Sequence, residues 1–314
     1  MRRLWARFED LWDLREAPTV LALIRIGVGL ALVWDVATMA ALGLVPVLWA
    51  PVEAGGLPAV LQRPTVPEFY RLMPATAGSA WLLWSGLLGA GVALTLGVRT
   101  RTAALIWVLL SAQSGLIAPL ADRGIDQMLR NVALILACSS AGRVWSWQAW
   151  RETGSWRGDP SLQTPAWPRH LIVLQLVVCY FVAGLNKTAL SWSPAGDFSA
   201  LFVVLSDPTM VSRDLTGLPG FYLLTQLGTA TTMAFELSAP VVVWAFWHRY
   251  TRDRPGRLRR WSLRWRPHLW WAAVGVLVHL GIAATMALGM FPYGMLALYP
   301  AFLHPDDLSR TPET

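Results

Sequence analysis

The sequence predicts an all-α integral membrane bundle of about seven transmembrane helices, or about seven to nine with short and re-entrant segments included. Three observations carry this. Of 314 residues, 55% are hydrophobic and only 14% charged, and the mean hydropathy is +0.44; a soluble domain averages about 25% charged residues. Nineteen tryptophans are too many for a core alone. They suit belts at the two membrane surfaces, where an indole keeps its ring apolar and its N–H wet. The net charge of +7 and pI near 10.1 lie mostly in short loops between apolar runs, which fits positive-inside topology and not nucleic-acid binding.

Residues 1–17 are amphipathic, with Leu4, Phe8, Leu11 and Trp12 at helical spacing, and read as an interfacial helix. Residues 18–304 read as one transmembrane domain and 305–314 as a polar tail. The spans are expected at 19–43, 78–98, 102–120, 125–141, 169–190, 218–247 and 268–291. Six prolines make 46–77 an irregular loop, re-entrant in part, and Pro240 is expected to kink the sixth span. Pro292 is expected to stop the seventh, and Tyr293–Leu303 is apolar but too short to cross. Cys138 and Cys179 lie in apolar runs without CxxC spacing and read as buried thiols.

If the spans alternate, the basic segments 99–101, 142–169 and 248–267 share one side, the last with eight arginines and one aspartate. The neutral or acidic loops at 46–77, 122–126 and 191–217 share the other. The expected orientation is N-terminus in the cytoplasm and C-terminus outside, in a multi-pass protein of a bacterial plasma membrane.

Seven ionisable residues fall inside these spans: Arg25, Asp35, Asp126, Arg130, Lys187, Glu236 and His279. Each is expected to face the bundle interior or a wet cavity, because a charge facing lipid is costly. Asp126 and Arg130 stand at i, i+4 and can pair on one helix face. Arg25 reads as one half of a structural ion pair, Asp35 as reaching water, and His279 as either an interhelical hydrogen bond or a site residue. His170 and His268, each at the start of a span, read as interfacial. Lys187 stands apart, being the one lysine among 26 basic residues. A desolvated lysine can give up its proton and act as a base, which an arginine cannot. The alternative is a stray lysine in an arginine-rich chain. Nucleotide-loop, zinc-protease and serine-hydrolase motifs are absent, as is any metal-binding pattern.

Two stretches resemble a known family. Tyr180-Phe-Val-Ala-Gly-Leu-Asn-Lys187, with Trp192 and Gly196 beyond, resembles the "YFxAGxxK…W…G" segment of vitamin K-dependent gamma-carboxylases. His279 followed by Gly289-Met-Phe-Pro-Tyr-Gly-Met-Leu-Ala297 resembles that family's "H…GMFPYxMLA" segment, and Leu96-Gly-Val-Arg-Thr-Arg101 its "LG…R" turn. By span order nearly the whole chain is similar to the HTTM, or horizontally transferred transmembrane, domain. In two places it departs from the carboxylases. Gly124-Ile-Asp126-Gln-Met-Leu129 stands where they carry a histidine in "NNHSYL", and Asn186 where they carry a second lysine.

The resemblance implies an enzyme with Lys187 and His279 as catalytic residues. In the carboxylases the matching lysine deprotonates vitamin K hydroquinone, and oxygenation of the anion yields a base strong enough to start glutamate carboxylation. Asn186, Tyr180, Trp192, Glu236, Asp126, Arg130, Phe291 and Tyr293 are the implied cavity or quinol-binding residues. The implied cofactor is a quinol, either vitamin K hydroquinone or menaquinol, with dioxygen and, for carboxylation, carbon dioxide, and no metal. The implied partners are the lipid bilayer and a peptide or protein substrate presented from outside, because no large extramembrane domain lies within the 314 residues. Two other readings stand beside this one. The chain could be a non-catalytic partner, as in the sporulation-delaying protein B branch of the domain, which is implicated in maturing a secreted peptide. Or it could be a quinone carrier without chemistry.

Overall fold

The computed structural model describes residues 13–57 and 67–309. The fold is all-α. Helix α1 (Thr19–Ala41) is followed in the proline-rich segment by the short helices α2 (Leu44–Trp49) and α3 (Glu68–Leu72). The Tyr70 hydroxyl donates to the Trp49 carbonyl, and burial pushes this phenol up to about 12. Then come α4 (Ala77–Leu96), α5 (Thr100–Ile117), α6 (Gly124–Ala137) and α7 (Trp147–Thr153). Helix α8 (Trp167–Asn186), α9 (Ala200–Leu205), α10 (Phe221–Leu237), α11 (Pro240–Tyr250) and α12 (Arg257–Trp265) follow. The chain continues through α13 (Pro267–Thr285) and α14 (Phe291–Leu296) to α15 (Pro305–Ser309).

Capping residues set several ends. Thr76 accepts from the Ser79 amide at 3.2 Å to start α4, and Gly97, at φ 70°, closes it. Ser146 accepts from the Ala149 amide at 2.8 Å to start α7.

Four helices, α1, α4, α8 and α13, are long and apolar enough to cross a membrane, and the pair α10–α11 makes a fifth if it is one span bent by 45°. That bend falls at Pro240, where the sequence places a kink: proline cannot donate to the preceding turn. The expected third and fourth spans are helices of 18 and 14 residues. At about 1.5 Å per residue, the second covers roughly 21 Å of a hydrocarbon core about 30 Å thick.

Other expectations are corrected. Helix α13 ends at Thr285, and Pro292 opens α14 near its N-terminus, where the missing proline N–H costs nothing. The fifth span does not reach residue 190; α8 ends at Asn186. Cys138, just past the end of α6, and Cys179, in α8, are exposed, free thiols where buried ones were expected; His268 stands at the start of α13, as expected, and is buried. Most of the expected helix at 1–17 lies outside the described residues. Within them, Arg15–Glu16 is a strand, β1, paired antiparallel with β2 (Thr164–Pro165). The polar tail begins with the short helix α15, and its last residues lie outside the description.

The chain forms two compact units, one of residues up to 170 with those from 304 onward, the other of residues 171–303; the division falls inside α8. In the first unit α1 packs along α4 and meets α6, while α5 packs between α4 and α6. Leu21, Ile24, Leu83, Leu94, Leu129 and Leu136 fill its core. In the second, α10 packs on α9 and α13, and α13 also packs on α11, α14 and the tight turn Tyr299–Phe302.

A candidate functional site at Lys187 and Glu236

Helix α8 brings Tyr180 and Lys187 to one face, because seven residues make nearly two turns. Lys187 is the first residue beyond the helix, where the free carbonyls favour a cation. Its Nζ donates to both oxygens of Glu236, at 2.6 Å each, and lies 5.0 Å from the centre of the Trp192 ring. The lysine side chain is 20% exposed and the glutamate 10%, so the pair is largely removed from water. Asn186, the next residue on the chain, turns its amide back to the Val182 carbonyl at 2.8 Å, so it caps its own helix and does not join the pair.

Gly184 allows this meeting. A Cβ there would stand 3.0 Å from the Leu237 side chain and 3.1 Å from the Glu236 Cβ. The missing side chain lets α10 approach α8 closely enough for the glutamate to reach the lysine. Gly184→Val is expected to force the helices apart and to lower thermal stability by about 1–3 kcal/mol, the usual cost of overpacking. An unchanged unfolding midpoint in detergent would show that the approach is not tight.

An aromatic layer lies beside the pair. The Tyr180 ring packs edge-on against Phe235 at 4.8 Å and Trp271 at 5.5 Å. Its hydroxyl is 2.9 Å from the Tyr299 hydroxyl and 3.3 Å from His279 Nε2. His279 Nδ1 lies 3.0 Å from the Gly275 carbonyl one turn earlier on α13. A carbonyl can only accept, so Nδ1 carries the proton and Nε2 is left to accept from Tyr180. The chain of donors therefore runs Tyr299, Tyr180, His279, Gly275. The His279 ring also stacks on Phe291 at 5.6 Å. Of its two readings, the interhelical hydrogen bond is the one the geometry displays. Tyr293 is nearly half exposed on α14.

Asp126 and Arg130 belong to the first unit and do not pair with each other. Asp126 takes the Arg123 backbone N–H and guanidinium at 2.8–2.9 Å, closing the start of α6. Arg123 also donates to Asp35 at 2.6 Å, so Asp35 is paired and does not simply reach water. Arg130 donates to Asp122 at 2.7 Å and to the Ser111 carbonyl at 3.0 Å. The i, i+4 spacing was real, but each side chain found a stronger partner in the turn before the helix. Arg25, fully buried, has no carboxylate partner among the described residues; its Nη2 donates to the Trp145 carbonyl at 2.5 Å.

Sequence reasoning missed Arg123, Asp122 and the buried pair of Glu16 with Arg169. It also missed Tyr299, Phe235 and Trp271. Tyr299 carried a signal: a hydroxyl inside an apolar run must find a partner once buried.

A family model for the HTTM domain matches residues 15–249. The chain belongs to the HTTM domain family. The matched stretch of this HTTM protein includes Lys187, Glu236, Trp192 and Tyr180, and ends before His279, Phe291 and Tyr299. With its apolar helices, membership marks an integral membrane protein. No curated protein and no solved structure matches the chain.

Proposed function

We propose that this HTTM protein is a membrane enzyme that binds a quinol and uses Lys187 as the base that takes a proton from the quinol hydroxyl, the first step toward quinol oxygenation. The reading is carried by one observation, the bidentate contact of Lys187 with Glu236 beneath the Trp192 ring. Glu236 fixes the amine beneath Trp192 and lies within reach to relay the proton that the lysine takes from the quinol. Trp192, partly exposed beside the lysine, offers a flat apolar face of the kind a quinol ring packs against, and the buried aromatic layer around Tyr180 backs the pair. The resemblance of residues 180–187 to the gamma-carboxylase segment supports the same assignment. Carboxylation of a partner-presented substrate from outside the membrane is the fuller form of this reading.

The balance is simple: quinol and dioxygen give quinone epoxide and water. Purified protein incubated with reduced vitamin K or menaquinol in air is expected to form the epoxide. Lys187→Arg keeps the charge and the pairing with Glu236 but cannot take up a proton, so it is expected to abolish turnover while leaving the fold intact. Equal turnover in the arginine variant would defeat the proposal.

A second reading is favoured by the same contacts. Every polar contact described for Lys187 Nζ is taken up by Glu236, as in a purely structural pair. On that reading the protein is a non-catalytic membrane partner in maturing or exporting a secreted peptide. A partner that co-purifies equally with the wild type and with Lys187→Met, together with no epoxide from either, would select it.

A further inference from the structure

The turn between α4 and α5 builds a second site, remote in character from the lysine. It is a cavity of about 470 Å³, within the roughly 300–1,000 Å³ typical of ligand pockets. Arg99, Thr100 and Arg101 form one wall, and Ser139, Arg143 and Gln148 line the other. Among the described residues no acidic one lines it. Arg101 Nε donates to the Ser139 carbonyl at 3.2 Å, which fixes its guanidinium at the rim. Arg143 pairs with Glu152 at 3.2 Å and Gln148 donates to the same carboxylate at 3.0 Å, but both members of that ion pair are more than 40% exposed. A pair so placed in water neutralises little.

Two features point to a ligand. Helix α5 is 18 residues long, and its N-cap, Arg99, sits at φ 43° and offers no side-chain acceptor to the first amides of the helix. Those amides are free donors at the positive end of the helix dipole. Independently, Thr100 is 2% exposed and its Oγ1 is buried without a hydrogen-bond partner. A buried hydroxyl left unpaired costs free energy that a bound acceptor would recover. Gly142 packs against it: a Cβ there would collide with that hydroxyl, so only glycine leaves Thr100 room at this wall. Arg25 adds to the field. It packs against Gly97, two residues before Arg99, with Nε and Nη1 unpartnered. A buried cation without a counter-charge favours an anion nearby.

We propose that this cavity binds a phosphate group, with Arg99, Arg101 and Arg143 supplying the guanidinium donors, Thr100 Oγ1 a hydroxyl donor and the first amides of α5 the remainder. Several planar forks converging with a helix N-terminus match the many acceptor oxygens of a phosphate better than a single carboxylate. The phosphate can come from an anionic phospholipid headgroup or from a soluble phosphate, and the site chemistry is the same for both.

The test titrates the purified full chain, in a neutral detergent, with three probes: inorganic phosphate, a short-chain phosphatidylglycerol, and a short-chain diacylglycerol that lacks the phosphate. Thermal stabilisation is the readout. Saturable stabilisation by phosphatidylglycerol alone assigns the lipid source, and stabilisation by inorganic phosphate as well assigns a site open to soluble phosphate. Thr100→Val and Arg99→Gln are each expected to weaken the effect about tenfold or more, the loss of one hydrogen bond to a charged group. Arg257→Gln, in the other basic stretch, is expected to leave it unchanged. The proposal is overturned if neither phosphate probe saturates, if diacylglycerol stabilises as much as phosphatidylglycerol, or if Arg257→Gln weakens binding as much as Arg99→Gln. Should Arg99→Gln fail to fold, the wild-type titrations and Thr100→Val still decide.

Discussion

Replacing Glu236 by glutamine is expected to destabilise the protein by about 3 kcal/mol, the low end of what breaking a buried ion pair costs. The ammonium of Lys187, 20% exposed, would face an amide that returns one acceptor where the carboxylate offered two. Lys187→Met is expected to cost a similar amount, because it leaves the Glu236 carboxylate, 10% exposed, without its cation. The double variant Lys187→Met/Glu236→Leu removes both charges and is expected to cost less than about 1 kcal/mol, since exchanging a whole buried pair for apolar side chains is often neutral. The denaturation midpoints of the four proteins close a double-mutant cycle. A coupling near zero would mean that the two side chains do not meet. This cycle measures the pair whether or not the lysine does chemistry; Lys187→Arg addresses the chemistry.

Legibility from sequence followed a physical divide. Helices α1, α4, α8 and α13 stand within a few residues of the apolar runs that predicted them at their N-terminal ends, because a long apolar run in a membrane must satisfy its own backbone. Pro240 was legible for a similar reason: its effect is local and obligatory. Partners were not legible. Lys187 and Glu236 are 49 residues apart, Arg123 and Asp35 are 88 apart, and Glu16 and Arg169 are 153 apart. Whether two such residues meet depends on how each helix is turned about its axis, and a helix that is apolar all round gives little sign of that. The candidate site was therefore read as a set of residues and not as an arrangement. Lys187, Glu236 and Trp192 proved to be one cluster, and Tyr180, His279 and Phe291 a second beside it. Asp126 and Arg130 belong to a separate network because Asp122 and Arg123, just before α6, supply closer charges.

The pair of Glu16 with Arg169 is the most buried of the described salt bridges and should be the most sensitive. The side chains are 4% and 3% exposed, and the contact is bidentate, Nε to Oε1 at 2.8 Å and Nη2 to Oε2 at 2.7 Å. Arg169 sits in the first turn of α8, the end at which the helix dipole disfavours a cation, so Glu16 is needed to hold it there. The same glutamate belongs to β1, whose ladder with β2 is only two residues long and is extended by the Ala166 amide donating to the Leu14 carbonyl at 2.9 Å. So short a ladder cannot stand without the pair. Glu16→Gln is expected to cost about 3–5 kcal/mol, because it takes the counter-charge from a buried guanidinium. Arg169→Lys is expected to recover little, since one nitrogen cannot reproduce the two parallel bonds that Nε and Nη2 of the planar fork make to Glu16. The strand should detach as well as weaken, so trypsin is expected to cut after Arg15 many times faster in Glu16→Gln than in the wild type under native conditions. If that peptide bond remains as resistant as before, the strand is held by its backbone hydrogen bonds and the ion pair contributes nothing to it.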